Sequence, residues 1–77
     1  MVRPTRITND IRQLRFVSGE LTQAELGARV GVTRQTIIAI EQGRYSPSLE
    51  VAFQIALVFN VPLDDVFHYP RIEGEAP

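Results

Sequence analysis

Residues 21–43, LTQAELGARVGVTRQTIIAIEQG, decide how this chain folds. Thr22-Gln23-Ala24-Glu25 is a capping box: the Thr22 hydroxyl and the Glu25 carboxylate can each satisfy an orphan backbone N–H at a helix start. Leu26 and Val30 follow four residues apart on one face, and Gly31 supplies the left-handed residue that stops the helix. Thr33 caps a second helix that buries Ile37 and Ile40 and ends at Gly43. Only Gly31 and Val32 separate the two, so the helices must cross steeply. Gly27 costs about 1 kcal/mol against Ala inside a helix. Close helix–helix approach would offset it, because a larger side chain there would push the third helix away. Two capped helices joined by a tight glycine turn make a helix-turn-helix, core 22–43, whose second helix can lie in the DNA major groove.

Outward from this core, Pro and Gly cut the chain into segments of helix length. A first helix is expected from Thr8 or Asn9 to Ser18, with Ile11 and Leu14 inward and Gly19 beyond its end. A fourth starts after Pro47 or Ser48 and runs to Phe59, with Asn60 as a left-handed stop. A short fifth opens at Pro62, carries Asp64 and Asp65 in a first turn that favours acids, and reaches Phe67. Thr5-Arg6-Ile7-Thr8 and Val66-Phe67-His68-Tyr69 are rich in β-branched and aromatic residues and can pair as a two-stranded antiparallel ribbon. The expectation is an all-α domain of five helices over residues 1–77, with that ribbon at its ends and a frayed tail at 72–77.

At 77 residues the chain has room for one small core. The absence of cysteine rules out disulfide scaffolds, zinc fingers and thiol catalysis. No apolar run approaches the roughly 18 residues of a membrane span, and no signal peptide opens the chain, so a cytoplasmic protein is expected. The net charge of −1 hides an uneven distribution. Residues 1–48 carry seven arginines against four acids, whereas residues 49–77 carry Arg71 against five. Such a split suits one face that meets an anion, and equally an ordinary surface of uneven charge. His68, the single histidine, has no nucleophile or metal cluster around it in the sequence, and Asp64-Asp65 reads as a helix start before it reads as an acid–base couple. No cofactor, metal site or enzymatic activity is expected.

The stretch LTQAELGARVGVTRQTIIAIEQGRYSPSLE, continued by VAFQIALVFNVPLDDVF, resembles the Cro and phage-repressor (XRE-like) helix-turn-helix regulators, in their short single-domain form. The likeness covers about residues 9–69, and its motifs TQ-x-x-L, G-V-T-R-Q-T, I-E-x-G and P-S-L recur in order. Gly19-Glu20 makes the loop before Leu21 one residue longer than the family's usual one. The resemblance implies a lambda-repressor-like domain that reads DNA with the N-terminus of its third helix, where Thr33, Arg34, Gln35 and Thr36 stand. Arg34 can reach guanine O6 and N7 together, and Gln35 can do the same at adenine N6 and N7. Ile38 and Ala39 lie off the Ile37/Ile40 face. Ile38 suits contact with a thymine methyl, or packs beneath the loop at 44–47. Gln23 resembles the family's phosphate-binding glutamine at a helix N-terminus. Arg44, Tyr45 and Ser46 are placed to grip phosphates, with packing of the Tyr45 ring on the fourth helix an equal alternative. Arg15 and Glu41 look like the family's internal ion pair tying the first helix to the third, with direct phosphate contact by Arg15 the lesser alternative.

Between Leu49 and Asn60 only Glu50, Gln54 and Asn60 are not apolar. A helix apolar almost all round is wholly buried or shares an interface. Leu57 and Val61 fall on the Glu50/Gln54 stripe, and with Leu63 and Phe67 they form the expected twofold interface of a homodimer. The partners are then double-stranded operator DNA and a second copy, with repression the favoured outcome. The alternative is an antitoxin-like interaction module whose acidic half covers a partner protein.

Overall fold

A computed structural model describes residues 5–71. Its elements are β1 (Thr8–Asn9), α1 (Ile11–Val17), α2 (Gln23–Val30), α3 (Arg34–Glu41), α4 (Leu49–Phe59), a 3-10 turn (Leu63–Asp65) and β2 (Phe67–His68). The tail at 72–77 lies outside the described residues.

The helix starts follow the local chemistry. Thr22 and Glu25 form the reciprocal capping box, with Thr22 N–H donating to Glu25 Oε1 at 2.9 Å and Glu25 N–H to Thr22 Oγ1 at 3.0 Å. The Thr33 hydroxyl accepts from Thr36 N–H at 3.1 Å to start α3, and the Ser48 hydroxyl accepts from Val51 N–H at 3.2 Å to start α4. Gly31 (φ 76°) ends α2 and Asn60 (φ 56°) ends α4, both left-handed.

Ile11, Leu21, Leu26, Val30, Ile37, Ile40, Ile55, Ala56, Phe59 and Val66 form one buried cluster, so every helix of the structure and the turn after α4 contribute to the core. Gly27 sits in the tightest place. A Cβ there would lie 2.7 Å from the Val32 carbonyl oxygen and 3.3 Å from the Thr33 carbonyl. The backbone of the turn itself, rather than the body of α3, is what excludes a side chain.

Three expectations need correction. The fifth helix is not α-helical: Asp65 N–H bonds Pro62 O and Val66 N–H bonds Leu63 O, the i to i+3 pattern of a single 3-10 turn. Val66 is then fully buried and accepts from Asp10 N–H at 2.9 Å, which forces the chain to turn back as a strand at Phe67. Among the described residues the fold therefore has four α-helices, not five.

α1 starts at Ile11 rather than at Thr8 or Asn9. Asn9 is held in extended backbone because its side chain spans two elements: Oδ1 accepts from Ile11 N–H at 3.2 Å, and Nδ2 donates to Ile40 O at 3.0 Å at the end of α3. The ribbon forms as an antiparallel pair in the register Thr8 with His68 and Asn9 with Phe67, shorter and further along the chain than 5–8 with 66–69. Thr5 is diverted from it, since its N–H donates to Gly43 O at 3.2 Å. The arginine before the strand stacks instead on the last aromatic, with the Arg6 guanidinium 5.8 Å from the Tyr69 ring centre.

The extended loop before α2 also has a local cause. Gly19 (φ 83°) and Glu20 (φ 59°) are left-handed in succession, and Leu21 N–H returns to Arg15 O at 3.0 Å.

Candidate nucleic-acid interface

The first turn of α3 stands clear of the core. Ile37 and Ile40 face inward, fully or almost fully buried, and rotate Thr33, Arg34 and Gln35 to the exposed side. The Thr33 hydroxyl is already committed. It caps α3 and lies 3.0 Å from the Thr36 hydroxyl, so the two threonines lock the turn. Arg34 and Gln35 make no hydrogen bond among the described residues, leaving the guanidinium and the amide available to an outside partner. Ile38 and Ala39 are half-buried, further along the same helix.

Behind this turn, three helices are wired together by one carboxylate. Arg15 of α1 grips Glu41 of α3 with both ends of its fork, Nε to Oε2 at 2.8 Å and Nη2 to Oε1 at 3.0 Å. Its third nitrogen, Nη1, donates to Leu21 O at 3.1 Å. Gln23 at the start of α2 completes the network, with Nε2 donating to Glu41 Oε1 at 3.3 Å. Gln23 is therefore held through a neighbouring acid, and its amide oxygen and second N–H stay available.

After α3, Arg44 is aimed by Gln42, with Arg44 Nε donating to Gln42 Oε1 at 2.8 Å. Tyr45 is half-exposed and Ser46 exposed on the loop that leads to α4. Gln23 and Arg34 line one open groove of about 1030 Å³ between α1, the N-terminal end of α2 and one side of α3 from Arg34 to Gln42. Tyr45 and Ser46 are not part of its lining. Asn9 and Gln42 were not anticipated as organising residues. The Asn9 partner lies 31 positions away, and Gln42 meets Arg44 in the turn after α3, where no helical or strand pattern applies.

The electrostatics reinforce the helix starts. The Glu25 carboxyl is held below its ordinary value of 4.5, chiefly by the hydrogen bond from the Thr22 backbone and then by the Thr22 side chain, with Arg29 one turn on adding attraction. Among the described residues no group of three His, Asp or Glu side chains could hold a metal ion. No helix in that range is long and apolar enough to cross a membrane.

Two capped helices around a left-handed glycine, with an exposed polar turn at the start of the second, define a helix-turn-helix DNA-binding domain. Residues 11–66 match the helix-turn-helix family, and the chain belongs to it, in its XRE (Cro and phage-repressor) branch. It is 57% identical over 49 residues to an HTH-type transcriptional regulator of Methanocaldococcus jannaschii, covering 64% of this chain and 74% of that one. To the HTH-type transcriptional regulator YgzD of Bacillus subtilis it is 48% identical over 59 residues, 77% of this chain and 88% of the relative. To the cryptic phage CTXphi transcriptional repressor RstR of Vibrio cholerae it is 36% identical over 59 residues, 77% of this chain but 52% of RstR.

Proposed function

We propose that this protein is a cytoplasmic transcriptional repressor that binds a palindromic operator as a homodimer. The observation that carries the reading is the first turn of α3, where Arg34 and Gln35 project from a turn locked by Thr33 and Thr36 and have no partner within the described residues. In this reading Arg34 and Gln35 read base edges, and Ile38 and Ala39 meet the groove floor further along. Gln23, Arg44, Tyr45 and Ser46 hold phosphates on either side. The Arg15–Glu41 pair acts from within, keeping Gln23 at the surface. No covalent chemistry and no cofactor are involved. Repression is the favoured sign because RstR, a relative over most of this chain, is named a repressor.

The case for a homodimer rests on α4. Leu57 is 76% exposed, and Val61, Leu63 and Phe67 beyond it are only partly covered. Leu49 and Phe53 are exposed at four-residue spacing on the same outer side, which widens the apolar face past the stripe expected from sequence. A twofold contact there sets two reading helices about 34 Å apart, one turn of B-DNA.

Selecting bound sequences from a random duplex pool tests the whole reading: a palindrome with half-sites one turn apart is expected. The same α4 face also favours a second reading, an interaction module that covers another protein. Recovery of no preferred sequence, together with a co-purifying partner, would move the function there.

A further inference from the structure

The groove between α1, the N-terminal end of α2 and one side of α3 holds a cation that the fold itself does not use. Three arginines line it: Arg12, Arg15 and Arg34. Arg15 is bound to Glu41 and Leu21, and that pair neutralises one of the two acids in the groove, leaving Glu20 on the loop. Arg12 is exposed and makes no hydrogen bond or ion pair among the described residues. It stands in the first turn of α1, where the aligned peptide dipoles disfavour a positive charge. Neither a partner nor the helix explains an arginine at this position. Phe16 lies one turn further on the same face, 69% exposed and lining the same wall, so α1 presents a cation next to an apolar ring.

A DNA backbone alternates phosphate with sugar, and this wall matches both. We propose that Arg12 contacts a DNA phosphate and carries the interface from the helix-turn-helix onto α1, with Phe16 against the adjoining deoxyribose. The inference rests on the DNA-binding reading above and adds to it a contact outside the two motif helices.

The test is a titration of operator and scrambled duplexes over a salt series, with wild type, Arg12→Ala, Arg12→Lys and Arg29→Ala. Arg29 is an exposed arginine in the last turn of α2 and lies outside the groove. Removing one phosphate contact lowers the salt slope by about 0.9 and weakens binding about 5- to 10-fold at 0.1 M salt. That loss is expected for Arg12→Ala on both duplexes alike, with the slope kept by Arg12→Lys and unchanged in Arg29→Ala. Thermal unfolding of Arg12→Ala should match or slightly exceed wild type, since no internal contact is removed and an unfavourable charge leaves the helix start. A wild-type slope in Arg12→Ala overturns the inference, as does an equal drop in Arg29→Ala, which would reduce Arg12 to general charge. A wild type that binds neither duplex overturns the DNA-binding reading itself.

Discussion

Replacing Arg15 with Met tests how α1 is tied to α3. The pair is largely withdrawn from water, with side chains 16% and 10% exposed, and Arg15 also satisfies the Leu21 carbonyl. Breaking a fully buried pair by deleting one partner costs about 3–5 kcal/mol, because the other charge is left desolvated. Residual exposure places this pair toward the lower end, and the stranded Leu21 carbonyl adds to the loss. Gln23 alone remains on Glu41, at 3.3 Å. The expected destabilisation is about 3 kcal/mol, or about 12–24 °C in Tm for a domain of this size. Urea unfolding followed by circular dichroism measures it, with Arg15→Met/Glu41→Leu as the closing corner of a double-mutant cycle. Removing both charges strands no charge and leaves only the Leu21 carbonyl and the Gln23 amide without their partners, so the double variant should recover part of the loss, to within about 2 kcal/mol of wild type. A loss below about 0.5 kcal/mol in Arg15→Met would refute the reasoning, since that is how a solvated surface pair behaves.

Other outcomes follow from particular contacts. Gly27→Val should destabilise by about 3 kcal/mol, with Gly27→Ala falling between it and wild type, because a Cβ there would meet the Val32 carbonyl at 2.7 Å; a valine variant as stable as wild type would show that the turn can retreat. The lowered pKa of Glu25 means that its stabilising contribution is present above pH 4.5 and is lost as pH falls through the lower folded-state value. The Tm difference between wild type and Glu25→Gln should therefore close on acidification, and a gap that widens there would contradict the capping box as its source. Gln35→Ala should cost about 1–3 kcal/mol on the selected operator and little on a scrambled duplex, whereas equal losses on both would assign Gln35 to the backbone. Leu57→Glu should sediment as a monomer; an unchanged dimer would exclude the α4 face as the interface.

The parts of this protein legible in its sequence are those whose physics is local. Thr22 with Glu25, Thr33 and Ser48 start helices because each hydroxyl reaches a backbone N–H within one turn. Gly31 and Asn60 end them because they tolerate left-handed backbone. The two-residue turn between the motif helices follows from the same residues, and so does the outward placement of Arg34 and Gln35, since Ile37 and Ile40 claim the inner face. The same sequence pattern over-extends the segment from Pro62 to Phe67, because proline and two acids describe how a helix begins and say nothing about how soon the chain must turn back.

Tertiary contacts decided the rest. The last helix stops after one 3-10 turn because Val66 must enter the core and offer its carbonyl to Asp10, some 56 residues earlier. Asn9 is strand rather than helix because the end of α3 takes its amide, and Gln23 points as it does because Arg15 and Glu41 hold it there. Which apolar residues of α4 stay exposed was likewise undecided by composition, since nine apolar side chains in a twelve-residue stretch leave periodicity almost no contrast. The Glu50/Gln54 stripe placed Leu57 outside, but only packing selects Ala52, Ile55, Ala56 and Phe59 for the core and leaves Leu49 and Phe53 exposed beside it. Capping and turn chemistry act over three or four residues and are written in order along the chain. Pairing across the fold depends on which surfaces meet, and that is set only when the helices pack.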